Sequence, residues 1–299
     1  TTVLGELLDS PMELRRLGMA SKVMYVVPNH MLLQFSHEFM QAYPNAKILM
    51  ASKDDLVGDK RRELLSRIAT SDWDAVVVTQ ATFERIKMSD DYMKSYIKDE
   101  ISNITMAIRQ RGNAGRGNAI VKQLARAKKA WTTKLDKMKG TAKKDDMLNF
   151  EDLGIDWLMV DESHFAKNLW RFSKMDRIAG LPNTNSERAF DLFVKTRYVR
   201  DKRDDRRGTT FASGTPISNT MAEMWVVMRY LMQDTLEAHM IDNFDSWAAN
   251  FGESVTALEL APDGNGYRMQ ARFARFVNMP ELMGLFRMVA DIRTPEMLD

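Results

Sequence analysis

The sequence contains no cysteine and only four histidines in 299 residues, at positions 30, 37, 164 and 239. Without cysteine, disulfide scaffolds, thiolate zinc sites and cysteine nucleophiles are excluded together, and the composition suits a reducing compartment. With so few histidines, a histidine-rich metal site is not expected either.

Proline and glycine are scarce, with 8 and 15 residues, while 44% of the residues are apolar and 28% are charged. This composition excludes a disordered tail or a fibrous repeat and leaves room for one large domain or two modest ones. No apolar run approaches the roughly 18 residues that cross a bilayer, and the first ten residues lack the basic segment of a signal peptide. We therefore expect a soluble, unsecreted, cytoplasmic protein without a membrane partner.

A net charge of +2 hides a strongly basic segment in the middle of the chain. Residues 109–144 contain twelve lysines or arginines and a single acidic residue, Asp136. Such a segment is a candidate contact for a polyanion. The alternative, a solvated face of a long helix, is equally compatible with the charge alone.

Short runs rich in Val, Ile and Met alternate with helical patterns along the chain. The predicted strands are residues 22–28, 46–51, 73–80, 155–161 and 208–214, and a charged helix is predicted over about 54–68, between the second and third strands. This alternation predicts an α/β fold, with a parallel sheet and crossover helices on both faces. Because ligands gather at the carboxyl ends of such strands, the residues that follow each strand are the candidates for function.

The region between the third and fourth strands predicts an inserted pair of helices, at about 88–148. Apolar residues recur at steps of three and four over 93–108 and again over 120–138, and a segment with three glycines, 111–118, separates them. Two such seams around a turn predict an antiparallel helical hairpin. Most of the basic segment lies on its second arm.

The last third of the sequence predicts further helices and a β-hairpin. Thr220 and Glu223 have the spacing of a capping box, and Phe244, Trp247 and Phe251 form a helical stripe. Residues 262–266 have the composition of a hairpin turn, and 280–292 predict another amphipathic helix. We expect a main domain over 1–234 and an extension over 235–299.

The most specific chemical signal is the sequence LMVDESH at 158–164. An apolar strand that delivers Asp161 and Glu162 to its end suits hydrolysis of a nucleoside triphosphate. One carboxylate holds Mg²⁺, usually through water, and the next orients or deprotonates the attacking water. The alternative, a carboxylate that merely caps a helix, is weakened by the motifs that stand in order around it.

Those motifs are VVPNHMLLQF at 26–35, VVVTQATF at 76–83 and FASGTPISN at 211–219. Together with DESHFAKN at 161–168, they resemble motifs Ia, Ib, III and II of the first motor lobe of superfamily 2 helicases, specifically of the Snf2-like branch. The run from Phe276 to Ile292 resembles a narrower group. These are large phage- and plasmid-borne helicases, often fused to an adenine-specific DNA methyltransferase and grouped with antirestriction or defence proteins.

The resemblance implies a RecA-like fold, ATP and Mg²⁺ as cofactors, and DNA as a partner, double-stranded rather than single-stranded. It also implies a second helicase lobe and a possible methyltransferase domain in a longer parent protein. The implied catalytic residues are Asp161, Glu162, His164, Ser213, Gly214 and Thr215, with Asp161 the ligand of magnesium through water. The implied nucleic-acid contacts are Asn29, His30, Thr79, Gln80 and Thr82, to which the basic segment adds Lys128, Lys129 and Lys134. For each of the first five, a simple helix cap is an alternative.

One expected element is missing from the 299 residues. No segment has the form G-x-x-x-x-G-K-[ST], the loop that anchors the β- and γ-phosphates, and residues 2–16 stand where the family has it. Lys22 follows that region, but it lies on the wrong side of the helix there to replace the missing lysine. We therefore expect a fragment of a longer helicase, with negligible ATP turnover by itself.

The sequence is also compatible with two other functions. The chain could be a non-catalytic module that binds nucleic acid or a partner protein through the basic hairpin. It could also be a scaffold within a modification or antirestriction complex.

Overall fold

The computed structural model describes residues 12–112, 118–140, 148–169, 186–217, 220–260 and 267–292. The chain divides into two compact units. The first, here called the sheet unit, comprises Glu6–Asp161 and Val194–Phe211. The second, here called the helical unit, comprises Thr1–Gly5, Glu162–Phe193 and Ala212–Asp299.

The sheet unit is built on five parallel strands. They are β1 (Val23–Val27), β2 (Ile48–Ala51), β3 (Ala75–Thr79), β4 (Trp157–Val160) and β5 (Thr209–Phe211), in the order β2-β3-β1-β4-β5. Every residue of β1, β3 and β4 is buried, which explains why these strands are continuous apolar runs. The predicted fold class, a RecA-like α/β sheet, is confirmed.

Three helices of this unit follow the first three strands. They are α1 (Leu32–Ala42), α2 (Asp59–Thr70) and α3 (Gln80–Arg85). Phe35 and Phe39 of α1 pack their rings 5.1 and 5.7 Å from the ring of Tyr25 in β1. The helix predicted from residue 54 begins only at Asp59, because Gly58 has a φ of +57° and a short 3₁₀ turn capped by Ser52 precedes it.

The insertion between β3 and β4 is the predicted helical hairpin, formed by α4 (Asp90–Gly112) and α5 (Asn118–Gly140). Tyr96 near the start of α4 packs its ring 6.5 Å from that of Trp131 in the second half of α5, so the helices run antiparallel. At its base, the N–H of Phe150 donates to the carbonyl of Lys87 at 2.8 Å. Beside it, the hydroxyl of Ser89 donates to the Glu151 carboxylate at 2.6 Å.

The next helix, α6 (Glu187–Asp201), was not predicted from the sequence. It begins in the helical unit and belongs to the sheet unit from Val194 onward. Its residues from Ala189 to Val194, apart from the half-buried Asp191, are buried, and so are Lys195, Thr196 and Arg200. A helix buried on most of its sides carries no apolar stripe that alternates with a polar one.

The helical unit continues with α7 (Ala222–Leu231), α8 (Gln233–Ala238), α9 (Phe244–Phe251) and α10 (Met279–Phe286), with an antiparallel pair between α9 and α10. The strands of that pair are β6 (Gly252–Leu260) and β7 (Tyr267–Phe276). The predicted turn at 262–266 lies outside the described residues. The two strands that flank it are present. The helix predicted over 280–292 ends at Phe286 instead.

An aromatic cluster forms the core of the helical unit. The ring of Phe244 lies 5.6 Å from that of Trp225 and 6.0 Å from that of Trp247, and Trp247 lies 5.8 Å from Phe251. The predicted stripe at 244–251 is therefore the buried face of α9. None of the helices in the described ranges combines the length and the apolar character that crossing a membrane requires.

The capping box predicted at the start of α7 is wrong. The helix begins at Ala222 with Met221 at the N-cap, which contributes no side-chain cap hydrogen bond. Glu223 instead forms a buried ion pair with Lys167. Its sequence spacing from Thr220 had suggested the cap, but a partner 56 residues away takes the carboxylate.

Candidate functional site

Three strand ends of the sheet unit are joined by hydrogen bonds. The side-chain oxygen of Asn29, after β1, accepts from the N–H of Ala81 at 3.5 Å. The amide group of Gln80, after β3, donates to the carbonyl of Asp161 at 3.4 Å, and the N–H of Asp161 donates to the carbonyl of Val26 at 2.9 Å. The structure thus brings together Asn29, Gln80 and Asp161 at the carboxyl edge.

The two threonines of the same region are occupied by local structure. Thr79 and Thr82 are both buried. The hydroxyl of Thr79 accepts from the N–H of Thr82 at 3.1 Å and lies 2.8 Å from the hydroxyl of Thr82. Thr79 is therefore the N-cap of α3, the alternative that the sequence left open, whereas His30 is exposed in a 3₁₀ turn.

In the helical unit, residues 162–168, here called the acidic loop, begin with an unusual backbone conformation. Glu162 has φ +48° and ψ +51°, the left-handed region that few residues other than glycine adopt. The Nδ1 atom of His164 lies 2.9 Å from Oε2 of Glu162, and the two side chains are 50% and 44% exposed. A strained residue that presents its carboxylate to solvent is a feature of functional sites.

The acidic loop is joined to the segment after β5 by one backbone hydrogen bond. The N–H of Ser163 donates to the carbonyl of Ala212 at 3.1 Å. Directly beyond Ala212, the hydroxyl of Ser213 accepts from the N–H of Thr215 at 3.1 Å, and Gly214 and Thr215 are exposed. The acidic loop and the turn at Ser213–Thr215, here called the hydroxyl turn, are therefore neighbours.

A second link between these segments lies deeper in the helical unit. The Nζ atom of Lys167, on the acidic loop, lies 3.3 Å from Oε2 of Glu223 in α7. In addition, the hydroxyl of Tyr230 in α7 donates to the carbonyl of Ala189 at 2.7 Å. These contacts fix the acidic loop and the helix after the hydroxyl turn to a common core.

The three lysines predicted to contact nucleic acid differ in exposure. Lys129 is exposed, whereas Lys128 and Lys134 are half-buried. The Nζ atom of Lys134 lies 5.4 Å from the centre of the Trp131 ring, at the distance of a cation–π contact. The outward face of α5 is therefore not formed by these three residues together.

The sequence matches the family described as a probable helicase domain over residues 7–294. The chain belongs to this family. The predicted resemblance to a Snf2-like helicase lobe is likewise confirmed by the relatives that follow.

The helicase domain is similar to the defense against restriction protein B of Escherichia phage P1, with 25% identity over 236 residues, 78% of this chain and 10% of that protein. It is also similar to the chromatin-remodeling ATPase INO80 of Candida albicans, with 27% identity over 97 residues, 32% of this chain and 6% of that protein. Human INO80 is 26% identical over 108 residues, 36% of this chain and 6% of that protein. The helicase domain thus spans about a tenth or less of the length of these curated relatives.

Lys22 of this helicase domain has a structural role at the amino end of the sheet. Immediately before β1, its ammonium group donates to the carbonyls of Ile68 at 2.8 Å and Ala69 at 3.2 Å, near the C-terminus of α2. Burial lowers the pKa of the Lys22 ammonium group. Since it precedes β1, Lys22 lies at the amino edge of the sheet, away from the carboxyl edge.

Sequence reasoning missed the buried cation Lys195 of the helicase domain. Lys195 of α6 is fully buried, and its Nζ atom donates to the carbonyl of Phe83 in α3 at 2.7 Å and lies 4.1 Å from the centre of that ring. This contact supports the short helix that carries Gln80. A charged residue inside the apolar stretch AFDLFV-K-T is the only signal that the sequence offers for it.

Proposed function

We propose that this chain is the first motor lobe of an ATP-dependent DNA helicase or translocase. The hydrogen bond between Ser163 and Ala212 carries the proposal, because it joins the acidic loop to the hydroxyl turn. Coupling of nucleotide hydrolysis to movement needs such a junction, through which a change at the phosphates reaches the nucleic-acid side.

Asp161 and Glu162 would have separate roles at the bound nucleotide. Bound ATP with Mg²⁺ supplies an activated phosphoryl group. Magnesium is usually bound by one or two carboxylates together with substrate phosphates and water. A single carboxylate from Asp161 fits this, and in the described ranges no group of three or more acidic or histidine side chains forms a metal cage.

Glu162 would orient the attacking water and accept its proton. Its exposed carboxylate is held by the 2.9 Å contact with Nδ1 of His164, so His164 acts as a positioning residue. The hydroxyls of Ser213 and Thr215, with the intervening Gly214, would sense departure of the phosphate. Thr215 is exposed and Ser213 is half-buried, and both directly follow Ala212, whose carbonyl is bonded to the acidic loop, which supports this role.

The phosphate anchor and the second lobe would be supplied by a longer parent protein. The 299 residues contain no G-x-x-x-x-G-K-[ST] segment, and the matched segments cover only 10% and 6% of the first two relatives. We propose that a glycine-rich loop ending in Lys-Thr is encoded immediately upstream of Thr1. A second lobe follows residues 235–299 in this proposal, and a methyltransferase domain and a cytoplasmic location are its further expectations.

DNA would be contacted at the carboxyl edge of the sheet. The exposed Asn29 and His30 and the half-buried Gln80 have polar side chains suited to phosphate and sugar groups. Thr79 and Thr82 would contribute through the fold of α3, since their hydroxyls are already hydrogen-bonded. Contacts of this kind position a strand without selecting its sequence.

The test is DNA-stimulated ATP hydrolysis by the chain produced with the segments that flank it in its genome. We expect duplex DNA to raise the rate, and Glu162→Gln to lower the stimulated rate by about 10²- to 10⁴-fold, the usual contribution of a general base. Glu63→Gln, which changes an exposed carboxylate on α2, is the matched control and should leave the rate unchanged.

The 299-residue chain alone should show negligible turnover. DNA-stimulated hydrolysis by this chain, abolished by Glu162→Gln, would overturn the proposed need for an upstream loop. A parent protein that hydrolyses no ATP with any DNA would overturn the motor function itself.

A further inference from the structure

We propose that the outward face of α5 binds the phosphate backbone of double-stranded DNA through Arg126, Lys129 and Lys137. We call this surface the basic ridge. The inference rests on the proposed function for the choice of DNA as the partner. It adds a second contact on the inserted hairpin, separate from the strand ends of the sheet.

The ridge is defined by helical geometry. At about 100° per residue, Arg126, Lys129 and Lys137 fall within an arc of about 80° on α5. All three side chains are exposed. With a rise of 1.5 Å per residue, they extend over about 16 Å along the helix. Their charges thus form a straight row rather than a scattered set.

The neighbours of the ridge leave it accessible. Apart from Asp136 at its border, the other exposed residues of the stretch 124–138 are small, namely Ala125, Ala130, Thr132 and Thr133. The hydroxyls of the two threonines donate to the carbonyls four residues earlier, at 2.9 Å each. A surface of methyl groups between cations allows a phosphate backbone to approach closely.

Packing of the hairpin fixes which face of α5 is turned outward. Leu124, Trp131 and Leu135 are buried on the opposite side, and Tyr96 of α4 packs against Trp131. The half-buried Lys134 lies on the flank over the Trp131 ring. The ridge is thus held in place by the apolar seam of a hairpin whose base is closed by Ser89 and Glu151.

Double-stranded DNA is the polyanion that this surface fits. Proteins that bind single strands stack the bases on exposed aromatic side chains, whereas the exposed residues between the cations in the described stretch 124–138 are Ala, Thr and Asp136. A duplex presents phosphates at a high and regular density, one charge per about 1.7 Å of its axis. Arginine and lysine contacts to such phosphates depend on charge and not on sequence.

The experiment measures binding of the 299-residue chain to a 30-bp duplex by fluorescence anisotropy, without nucleotide, over a series of salt concentrations. For the triple variant Arg126→Gln, Lys129→Gln, Lys137→Gln, we expect the negative slope of log K against log salt to become shallower by about 2 to 3, since each phosphate contact contributes about −0.9. Affinity at low salt should fall at least tenfold, while circular dichroism stays unchanged.

The matched control carries Arg16→Gln, Lys47→Gln and Arg207→Gln, which remove the same charge from exposed positions of the sheet unit that precede β1, β2 and β5, away from the carboxyl edge. This control should keep the slope of the unchanged chain. Equal slopes for the ridge variant and the unchanged chain would overturn the inference, and so would an equal loss in the control. A single strand of the same length that binds as tightly, with the same loss in the ridge variant, would overturn the choice of a duplex.

These outcomes are independent of ATP turnover. A parent protein without ATPase activity whose ridge variant still loses DNA binding would refute the motor and support the ridge. A working motor whose ridge variant binds DNA normally would support the motor function and refute the ridge.

Discussion

The Nζ atom of Lys167 lies 3.3 Å from Oε2 of Glu223, and both side chains are more than nine-tenths buried. Lys167 belongs to the acidic loop and Glu223 to the helix after the hydroxyl turn. Their pairing connects two segments that are separated by more than fifty residues in the sequence. In the helical unit, it is therefore both a structural contact and a link between the proposed motifs II and III.

Replacement of Lys167 by Met should strongly destabilise the protein. The Glu223 carboxylate would lose its buried cation, and breaking a buried pair on one side costs about 3–5 kcal/mol. Urea unfolding followed by tryptophan fluorescence measures the change. The double variant Lys167→Met, Glu223→Met should recover most of the loss, and Lys53→Met at an exposed site should stay within about 0.5 kcal/mol. A single variant as stable as the unchanged protein would contradict this role.

Replacement of Glu162 by Gly should make the protein more stable while it inactivates the proposed motor. Glycine adopts φ +48° without the steric cost of about 1–2 kcal/mol that a side chain carries in the left-handed region. Glu162→Gln, which keeps the side chain, is the proper reference for a thermal unfolding experiment. The glycine variant should exceed it by up to about 1 kcal/mol. A glycine variant less stable than the glutamine variant would argue against strain at this position.

Two glycines should respond differently to replacement by alanine. Gly208, just before β5, has a φ of +112°, and a Cβ there would lie 2.8 Å from Cγ1 of Val199 and 3.1 Å from the carbonyl oxygen of Asp156. We expect Gly208→Ala to cost about 1–3 kcal/mol in urea unfolding. A Cβ on Gly214 meets no atom within 4 Å, so Gly214→Ala should fold normally. Any defect of Gly214→Ala in DNA-stimulated hydrolysis would then report on function alone.

The ion pair of Asp205 should contribute stability that depends on pH. Two hydrogen bonds at 3.0 Å from the guanidinium group of Arg203 hold the pKa of Asp205 at about 2. The ordinary pKa of aspartate is about 3.9, so the contribution is complete above about pH 4 and disappears as the pH falls through about 2. Because the carboxylate is 39% exposed, solvent screening should keep this contribution below about 1 kcal/mol.

Asp205→Asn, compared with the unchanged protein by urea unfolding at pH 7 and at pH 3, measures this effect. The variant should be less stable at pH 7, and the difference should shrink at pH 3. A difference that grows toward acid pH would mean that the pair does not favour the ionised carboxylate.

The sheet could be predicted from the sequence because its central strands are buried on both faces. Such strands are unbroken apolar runs, as at 23–27, 75–79 and 157–160. The order of the motifs along these strands also placed Asn29, Gln80 and Asp161 at one edge. The seams of α4 and α5 were visible for a similar reason, since each of these helices has one buried face.

The remaining features depend on contacts between distant residues. Lys195 is buried because a carbonyl of Phe83, 112 residues earlier, accepts its hydrogen bond. Glu223 caps no helix because Lys167 is within reach. The start of α2 at 59 instead of 54 is the exception, because it is a local effect of Gly58, which breaks the helical conformation and which the charge pattern did not indicate. Local periodicity contains none of this information.

The backbone hydrogen bond between Lys87 and Phe150 has a consequence for how this domain can vary. This bond joins the two ends of the inserted hairpin outside the strands, so the segment between Lys87 and Phe150 is an insertion whose ends already meet. Such an insertion can be lengthened, shortened or exchanged during evolution while β3 and β4 keep their positions in the sheet. A short turn grafted from Lys87 to Phe150 should therefore leave a folded sheet, and other hairpins grafted there could equip the same sheet for other partners.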